Sequence, residues 1–186
     1  DGKPLTCDDM VLTWAAQSGR FPGFDAASRG GYLDIAGIDC QPGTKKARVN
    51  YLPNRSVVDY AQLFTATSIM PSHVIGDALG IDVTAGIQSG DPVAVARIAE
   101  AWNTIWDLKV DSDLARFPSS GPFMIDSILP EGAVTLVAND RWWGTPPAIQ
   151  RITVSPRGID VQDRINNGSF QVVDVADGSS GTLTTP

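Results

Sequence analysis

The helix and strand signals of this chain follow no regular βαβ order, and that irregularity limits the fold more than any single motif does. Thr6 reads as a helix N-cap, Asp8 and Asp9 sit in the first turn, and Met10, Val11, Trp14 and Ala15 recur at helical spacing up to Gly19. Asp9, three residues after Thr6, is a weak form of capping box. Residues 32–40 and 47–52 then read as strands joined at Pro42-Gly43-Thr44. Ser56 is expected to cap a short helix whose inward face is Val57, Tyr60, Leu63 and Phe64, and Ser72 to cap another that runs through Leu79.

Asp91-Pro92 is the most definite helix start, with Asp as N-cap and Pro at the first helical position. The helix predicted there runs to about Asp107, with Ile98, Trp102, Ile105 and Trp106 on one side. After a connector over 109–118, residues 122–129 and 133–138 read as a second hairpin around Pro130-Glu131-Gly132. A strand over 150–155, a short helix over 160–166 stopped by Asn167-Gly168, and a last strand over 170–175 complete the pattern. This mixture excludes a TIM barrel and a plain doubly wound sheet, and leaves an α+β fold with mixed sheets. The last strand leads into a small, polar tail instead of a partner element, so strands outside this sequence are expected to complete the sheets.

The 186 residues are enough for a sizeable core, and the formal net charge of −7, without clustered Lys or Arg, argues against nucleic acid. No apolar run reaches the roughly 18–20 residues that a membrane span needs. No charged-then-apolar leader stands at Asp1, so a secretion signal is expected outside this sequence. Cys7 and Cys40, the two cysteines, have no metal-ligand spacing and form no Cys-x-x-Cys motif. In an oxidising compartment they can pair, closing a loop worth roughly 3–4 kcal/mol; the alternative is two separately buried thiols.

Catalytic constellations are scarce. His73 is the single histidine, and it stands beside Pro71 and Ser72 at a helix start, where a capping or satisfied surface role is expected. No Gly-x-Ser-x-Gly elbow, phosphate loop or dinucleotide fingerprint occurs, and the His and Cys supply is too small for zinc. With 21 acidic residues, some carboxylate pair can always meet in space, so a carboxylate-dependent hydrolase stays as a remote alternative. The expectation is that the chain is no enzyme and carries no cofactor. Trp142-Trp143-Gly144 stands out instead, because adjacent tryptophans are costly to expose and large aromatics often line clefts. They are either core anchors or a pair with one ring turned to a ligand.

Three segments resemble the family-5 extracellular solute-binding proteins, which include oligopeptide-, dipeptide- and nickel-binding receptors of ABC importers. Asp1-Gly2-Lys3-Pro4-Leu5-Thr6-Cys7-Asp8-Asp9 matches the family's "DG-x-P-hydrophobic-T-A-x-D" helix opening, with Cys7 where alanine is usual. Ser120-Gly121-Pro122-Phe123, followed by residues 134–144 ending in Asn139-Asp140-Arg141-Trp142-Trp143-Gly144, resembles the "GTGPY … V-x-L-x-R-N-x-x-YWG" hairpin. There Ser120 replaces threonine and Trp142 replaces tyrosine. Residues 161–177 are similar to the passage that carries Gly168 and Asp174, and Pro71-Ser72-His73 fits a "P-x-H" segment. The wording around Cys7 and Cys40-Gln41-Pro42-Gly43 is most similar to the actinobacterial LpqW-like lipoprotein branch.

The resemblance implies part of the first lobe of a two-lobed, class II periplasmic-binding-protein-like fold with an inserted helical and hairpin subdomain. Residues 1–115 would form the small subdomain, and 116–186 would return to the main sheet of that lobe and begin the crossover to a second lobe, largely absent here. It implies an extracytoplasmic cell-envelope protein, monomeric, anchored as a lipoprotein, that captures a peptide-like or other polar solute for an ABC permease. The LpqW-like branch implies binding of a phosphatidylinositol mannoside or regulation of lipoglycan synthesis. Trp142, Trp143 and Asp177 are the ligand-contact candidates, Asp177 because it would lie near the hinge.

Overall fold

The computed structural model describes residues 1–26, 29–65, 68–156 and 161–172. The chain divides into two compact units, the first made of residues 1–108 and 112–119, the second of 109–111 and 120–186. The fold is α+β. Four helices and a two-stranded hairpin build the first unit, and a three-stranded antiparallel sheet with one short helix builds the described part of the second.

Helix α1 (Cys7–Gln17) organises the first unit. Eight of its eleven residues are buried, so it is a central helix with little solvent face. Val11, Leu12, Ala15 and Ala16 pack with Ile35 and Ile38 of β1 (Ile35–Cys40), Ile75 of α2 (Ser72–Leu79), Val83 and Ile87 of α3 (Val83–Ser89), and Val95, Ile98 and Ala99 of α4 (Pro92–Thr104). Trp14 closes one side of this core: its indole N–H donates to the Ile35 carbonyl at 3.3 Å, and its ring meets Phe21 edge to face at 5.5 Å. β1 pairs antiparallel with β2 (Ala47–Tyr51), in register from Cys40 opposite Ala47 to Ile35 opposite Tyr51, with an irregularity between Ile35 and Gly37.

Two covalent and polar ties hold the start of α1 in place. Cys7 and Cys40 form a disulfide that fastens the helix to the end of β1, which decides between the two readings of these cysteines. Asp9, 2% exposed, receives the Thr6 backbone N–H at 2.8 Å, and both the backbone N–H and the hydroxyl of Ser72 at 2.7 Å each. One carboxylate thus closes the first turn of α1 and clamps the first turn of α2.

Several local expectations differ from the structure for identifiable reasons. Residues 32–34 form a 3-10 turn and the strand begins at Ile35, because Tyr32 is drawn into the core and its hydroxyl accepts the Phe64 N–H at 2.9 Å. No helix starts at Ser56; only a 3-10 turn at Tyr60–Gln62 forms, between the left-handed residues Asn54 (φ 59°) and Phe64 (φ 54°). The β-branched pair Val57-Val58 favours that outcome, since such residues lose rotamer freedom in a helix. Ser72 does not cap α2: Pro71 holds the cap position and the Ser72 hydroxyl is spent on Asp9. α3 has no counterpart in the sequence reading, yet its signal is present, with Asp82 accepting from Ala85 N–H at 2.9 Å and Gly90 ending the helix. α4 begins at Pro92 as expected but ends at Thr104, with Ile105 and Trp106 continuing to pack on the core.

In the second unit, β3 (Phe123–Ile128), β4 (Val134–Ala138) and β5 (Arg151–Val154) form a sheet in the order β3-β4-β5. Phe123 pairs with Ala138 and Val134 with both Ile128 and Val154. Among the described residues of this unit only Ala133, Thr135 and Asn139 are buried, whereas Met124, Ile149 and Val154 are exposed. α5 (Val161–Asn166) follows β5. Residues 170–172 are not a strand, and the rest of the expected last strand, 173–175, lies outside the described residues.

Replacing Cys7 and Cys40 by alanine reopens a 33-residue separation and is expected to cost about 4 kcal/mol on the chain-entropy estimate. Urea unfolding of the full-length protein reads this directly. An unchanged midpoint would mean that the Gly43–Asp8 and Cys7–Thr44 hydrogen bonds hold the hairpin on their own.

Candidate functional site

The tryptophan pair is the site candidate that the structure brings together. Asn139, 8% exposed, ends β4 and builds the turn: its backbone N–H donates to the Pro122 carbonyl at 2.8 Å, its side-chain amide to the Gly121 carbonyl at 2.8 Å, and its side-chain oxygen accepts the Arg141 N–H at 3.1 Å. The turn is closed when the Trp142 N–H donates to the Asn139 carbonyl at 3.1 Å. Trp142 is half-buried and folds back over Gly144, its indole N–H donating to the Thr145 carbonyl at 3.2 Å. A Cβ at position 144 would stand 2.7 Å from the Trp142 ring, so glycine is required there for room.

Trp143 stacks on this folded ring at a centroid distance of 4.7 Å and a tilt of 42°, and it is 86% exposed. Neither ring is a core anchor. The pair is an aromatic step with one supported ring and one open ring, the geometry that offers a flat face to a sugar, a peptide bond or another ring. Asp177, the third candidate, lies outside the described residues.

A second concave region in the first unit, about 780 Å³, runs past Lys3, Asp8, His73, Asp77, Asp82 and Thr84. Its charges are already engaged. Lys3 pairs with Asp77, which depresses the Asp77 pKa below the ordinary carboxylate value. His73 Nε2 meets Asp1 Oδ2 at 2.6 Å, and burial, assisted by the Lys3 charge, lowers its pKa. The histidine is therefore a satisfied, partly covered side chain, the role expected for it.

Asp8 accepts the Thr84 hydroxyl at 2.6 Å, the Gly43 N–H at 2.7 Å and the Thr6 hydroxyl at 2.9 Å. Burial alone would raise its pKa, but these donors outweigh burial and lower it. Sequence reasoning placed Asp8 only as a charge on the helix dipole. Its role in joining α1, the β1–β2 turn and α3 depends on residues 35 and 76 positions away, which no local pattern announces. Ligand atoms of Cys7, Asp8 and Cys40 lie within 4.8 Å of one another. The thiols are consumed in a disulfide and the carboxylate is occupied by three donors, so this trio is a structural knot and no metal centre.

The chain is similar to a periplasmic EDTA-binding protein, EppA, with a TM-score of 0.63 over 89% of this chain and 27% of that one, at 23% sequence identity. Its fold is part of a periplasmic-binding-protein lobe. The periplasmic-binding-protein-like fold expected from the sequence is therefore the one observed. No protein-family model matches the chain. Over 190 residues it is 64% identical to uncharacterized lipoproteins of Mycobacterium bovis and Mycobacterium tuberculosis, and over 186 residues 64% identical to one of Mycobacterium leprae. All of this chain is covered in each case, and it spans about a third (34%) of those relatives' length.

Two outcomes follow. The lowered Asp8 pKa contributes stability above the unfolded value of 3.8, and this contribution is lost as pH falls through the lower folded value. The stability advantage of wild type over Asp8→Asn, measured by urea unfolding, is thus expected to shrink on the acid side of that value and to stay constant above it. Gly144→Ala is expected to push the Trp142 ring off its seat and abolish the coupled near-ultraviolet circular dichroism of the two indoles. An unchanged spectrum would show that the rings do not stack over Gly144.

Proposed function

We propose that this chain is part of an extracytoplasmic lipoprotein of the family-5 solute-binding type, which holds a small solute between two lobes and does not transform it. The shared architecture with a periplasmic binding protein over 89% of the chain is the observation that carries this reading. The lipoprotein relatives support an envelope location. The state of the polar groups supports binding over catalysis. Asp8 and Asp9 are each occupied by several hydrogen-bond donors, so neither is poised as a nucleophile or general base.

The tryptophan step is the contact surface this reading assigns to the ligand. An exposed indole backed by a second ring gains from covering apolar area and from aromatic stacking, worth about 0.5–1.5 kcal/mol beyond the area itself. A peptide-like or other polar solute handed to an ABC permease is the first ligand class. A second class rests on the LpqW-like resemblance alone: the mannosyl head of a phosphatidylinositol mannoside, or a role in lipoglycan synthesis. Sugar rings and peptide planes both suit a flat aromatic face, so the step fits either.

Native mass spectrometry of the full-length protein from its own host, followed by thermal-shift measurements with short peptides and with phosphatidylinositol mannosides, tests the proposal. Carried ligand or saturable stabilisation by one class is expected, weakened by Trp143→Ala about fivefold, in keeping with the stacking energy. A protein that carries nothing and is stabilised by neither class is no solute receptor.

A further inference from the structure

The first unit holds an aromatic pocket that neither the solute-binding reading nor the lipoprotein relatives explain. Met10 of α1, Val49 and Tyr51 of β2, and Val57, Leu63 and Phe64 of the following segment line a cavity of about 470 Å³. That volume lies within the roughly 300–1,000 Å³ typical of small-molecule sites. All these residues belong to one compact unit, and the tryptophan step belongs to the other.

The pocket is held open by groups that are not part of its lining. Phe64, a bulky residue with no intrinsic tolerance for left-handed backbone, sits at φ 54°. The buried Tyr32 holds it there: the Tyr32 hydroxyl accepts the Phe64 N–H at 2.9 Å, and the two rings meet edge to face at 5.1 Å. Gly31 completes the support, because a Cβ there would stand 2.8 Å from Leu63. The pocket opens to solvent: Ser56 and Tyr60 are exposed and its other lining residues are partly covered. A strained residue fixed at its wall is a feature found at ligand clamps.

The chemistry of the lining selects the occupant. None of its residues is charged, so an ion would lose hydration without compensation. Ser56 and Tyr60 line the pocket along with Tyr51, and the hydroxyls of these three residues have no hydrogen-bond partner among the described residues. We infer that this pocket, in the unit that does not carry the tryptophan step, is a binding site for a neutral small molecule with an apolar aryl or alkyl body and a hydrogen-bonding end. The apolar body covers Met10, Val49 and Leu63, and the hydrogen-bonding end meets the tyrosine and serine hydroxyls.

The test uses N-phenyl-1-naphthylamine, a neutral aryl amine whose fluorescence rises in apolar surroundings, titrated into the full-length protein. Saturable one-site enhancement is expected. Ser56→Trp, a substitution at an exposed lining position, fills the pocket and is expected to weaken the probe by about tenfold or more. Tyr60→Ala, at a position 69% exposed, removes one wall and one hydroxyl and is expected to weaken it about threefold. Trp143→Ala leaves the titration unchanged, which separates this site from the one assigned to the solute. The inference is overturned if the wild-type protein shows no saturable enhancement, as when another part of the polypeptide or a second copy fills the pocket. It is equally overturned if both pocket variants bind like wild type, or if the signal disappears with Trp143→Ala.

Discussion

The first turn of α1 is the point on which the first unit depends. Asp9 is buried there, and moving a carboxylate out of water costs several kcal/mol unless its oxygens are satisfied. Three donors from Thr6 and Ser72 satisfy it, each charge-assisted bond offsetting about 1.5–3 kcal/mol of that cost. Because two of these donors belong to the start of α2, the carboxylate is stable only when both helices are in place. Asp8, the next residue back, does the same for the β1–β2 turn and for α3 through Gly43 and Thr84. The disulfide from Cys7 adds a covalent tie to β1. Three consecutive residues thus specify the mutual placement of a hairpin and three helices, and α1 can be buried on nearly every side as a result.

The second unit is built on the opposite principle. Among the described residues its sheet ends at β3 on one side and β5 on the other, and few of its described side chains are covered. What is well determined there is local. Asn139 spends its side chain and its main-chain N–H on the strand-to-turn junction, Trp142 lies over Gly144, and Trp143 is left outside. A rigid turn presenting one open ring suits a contact surface, because an aromatic ring that is already ordered loses little entropy when a ligand covers it. The two cavities and the tryptophan step differ in chemistry. The polar groove pairs Lys3 with Asp77 and keeps the Asp8 and Asp82 carboxylates on hydrogen-bond donors, the pocket beside Phe64 contains no charge, and the step is a flat aromatic face.

Much of the architecture was legible in the chain. The helix at Thr6 with Asp8 and Asp9 in its first turn, the Asp91-Pro92 start, both hairpins and the cysteine pairing all rest on local chemistry or on one long-range covalent option. The 3-10 turn at Tyr32 was read as strand because its aromatic side chain suits either state, and only the bond to Phe64 N–H decides. The helix expected at Ser56 gives way to a loop with two left-handed residues, Asn54 and Phe64, the second of which Tyr32 holds from outside the segment. α3 was missed although Asp82 and Gly90 bracket it, since Val83 to Ser89 is short and contains Gly86, which weakens helical propensity.

For the candidate sites, the sequence alone determined residue types: two adjacent tryptophans before a glycine, one histidine, two cysteines, and no charge cluster suited to phosphate. It also determined the α+β class, because helix caps and strand alternation are written into neighbouring residues. Only the tertiary structure decided which ring of the pair stays open, that His73, Asp8 and Asp9 are structural, and that an uncharged pocket persists beside Tyr32. The physical reason is that exposure, carboxylate satisfaction and cavity shape are properties of groups far apart in the chain. Their energies are not defined until the backbone brings those groups within hydrogen-bonding or van der Waals distance.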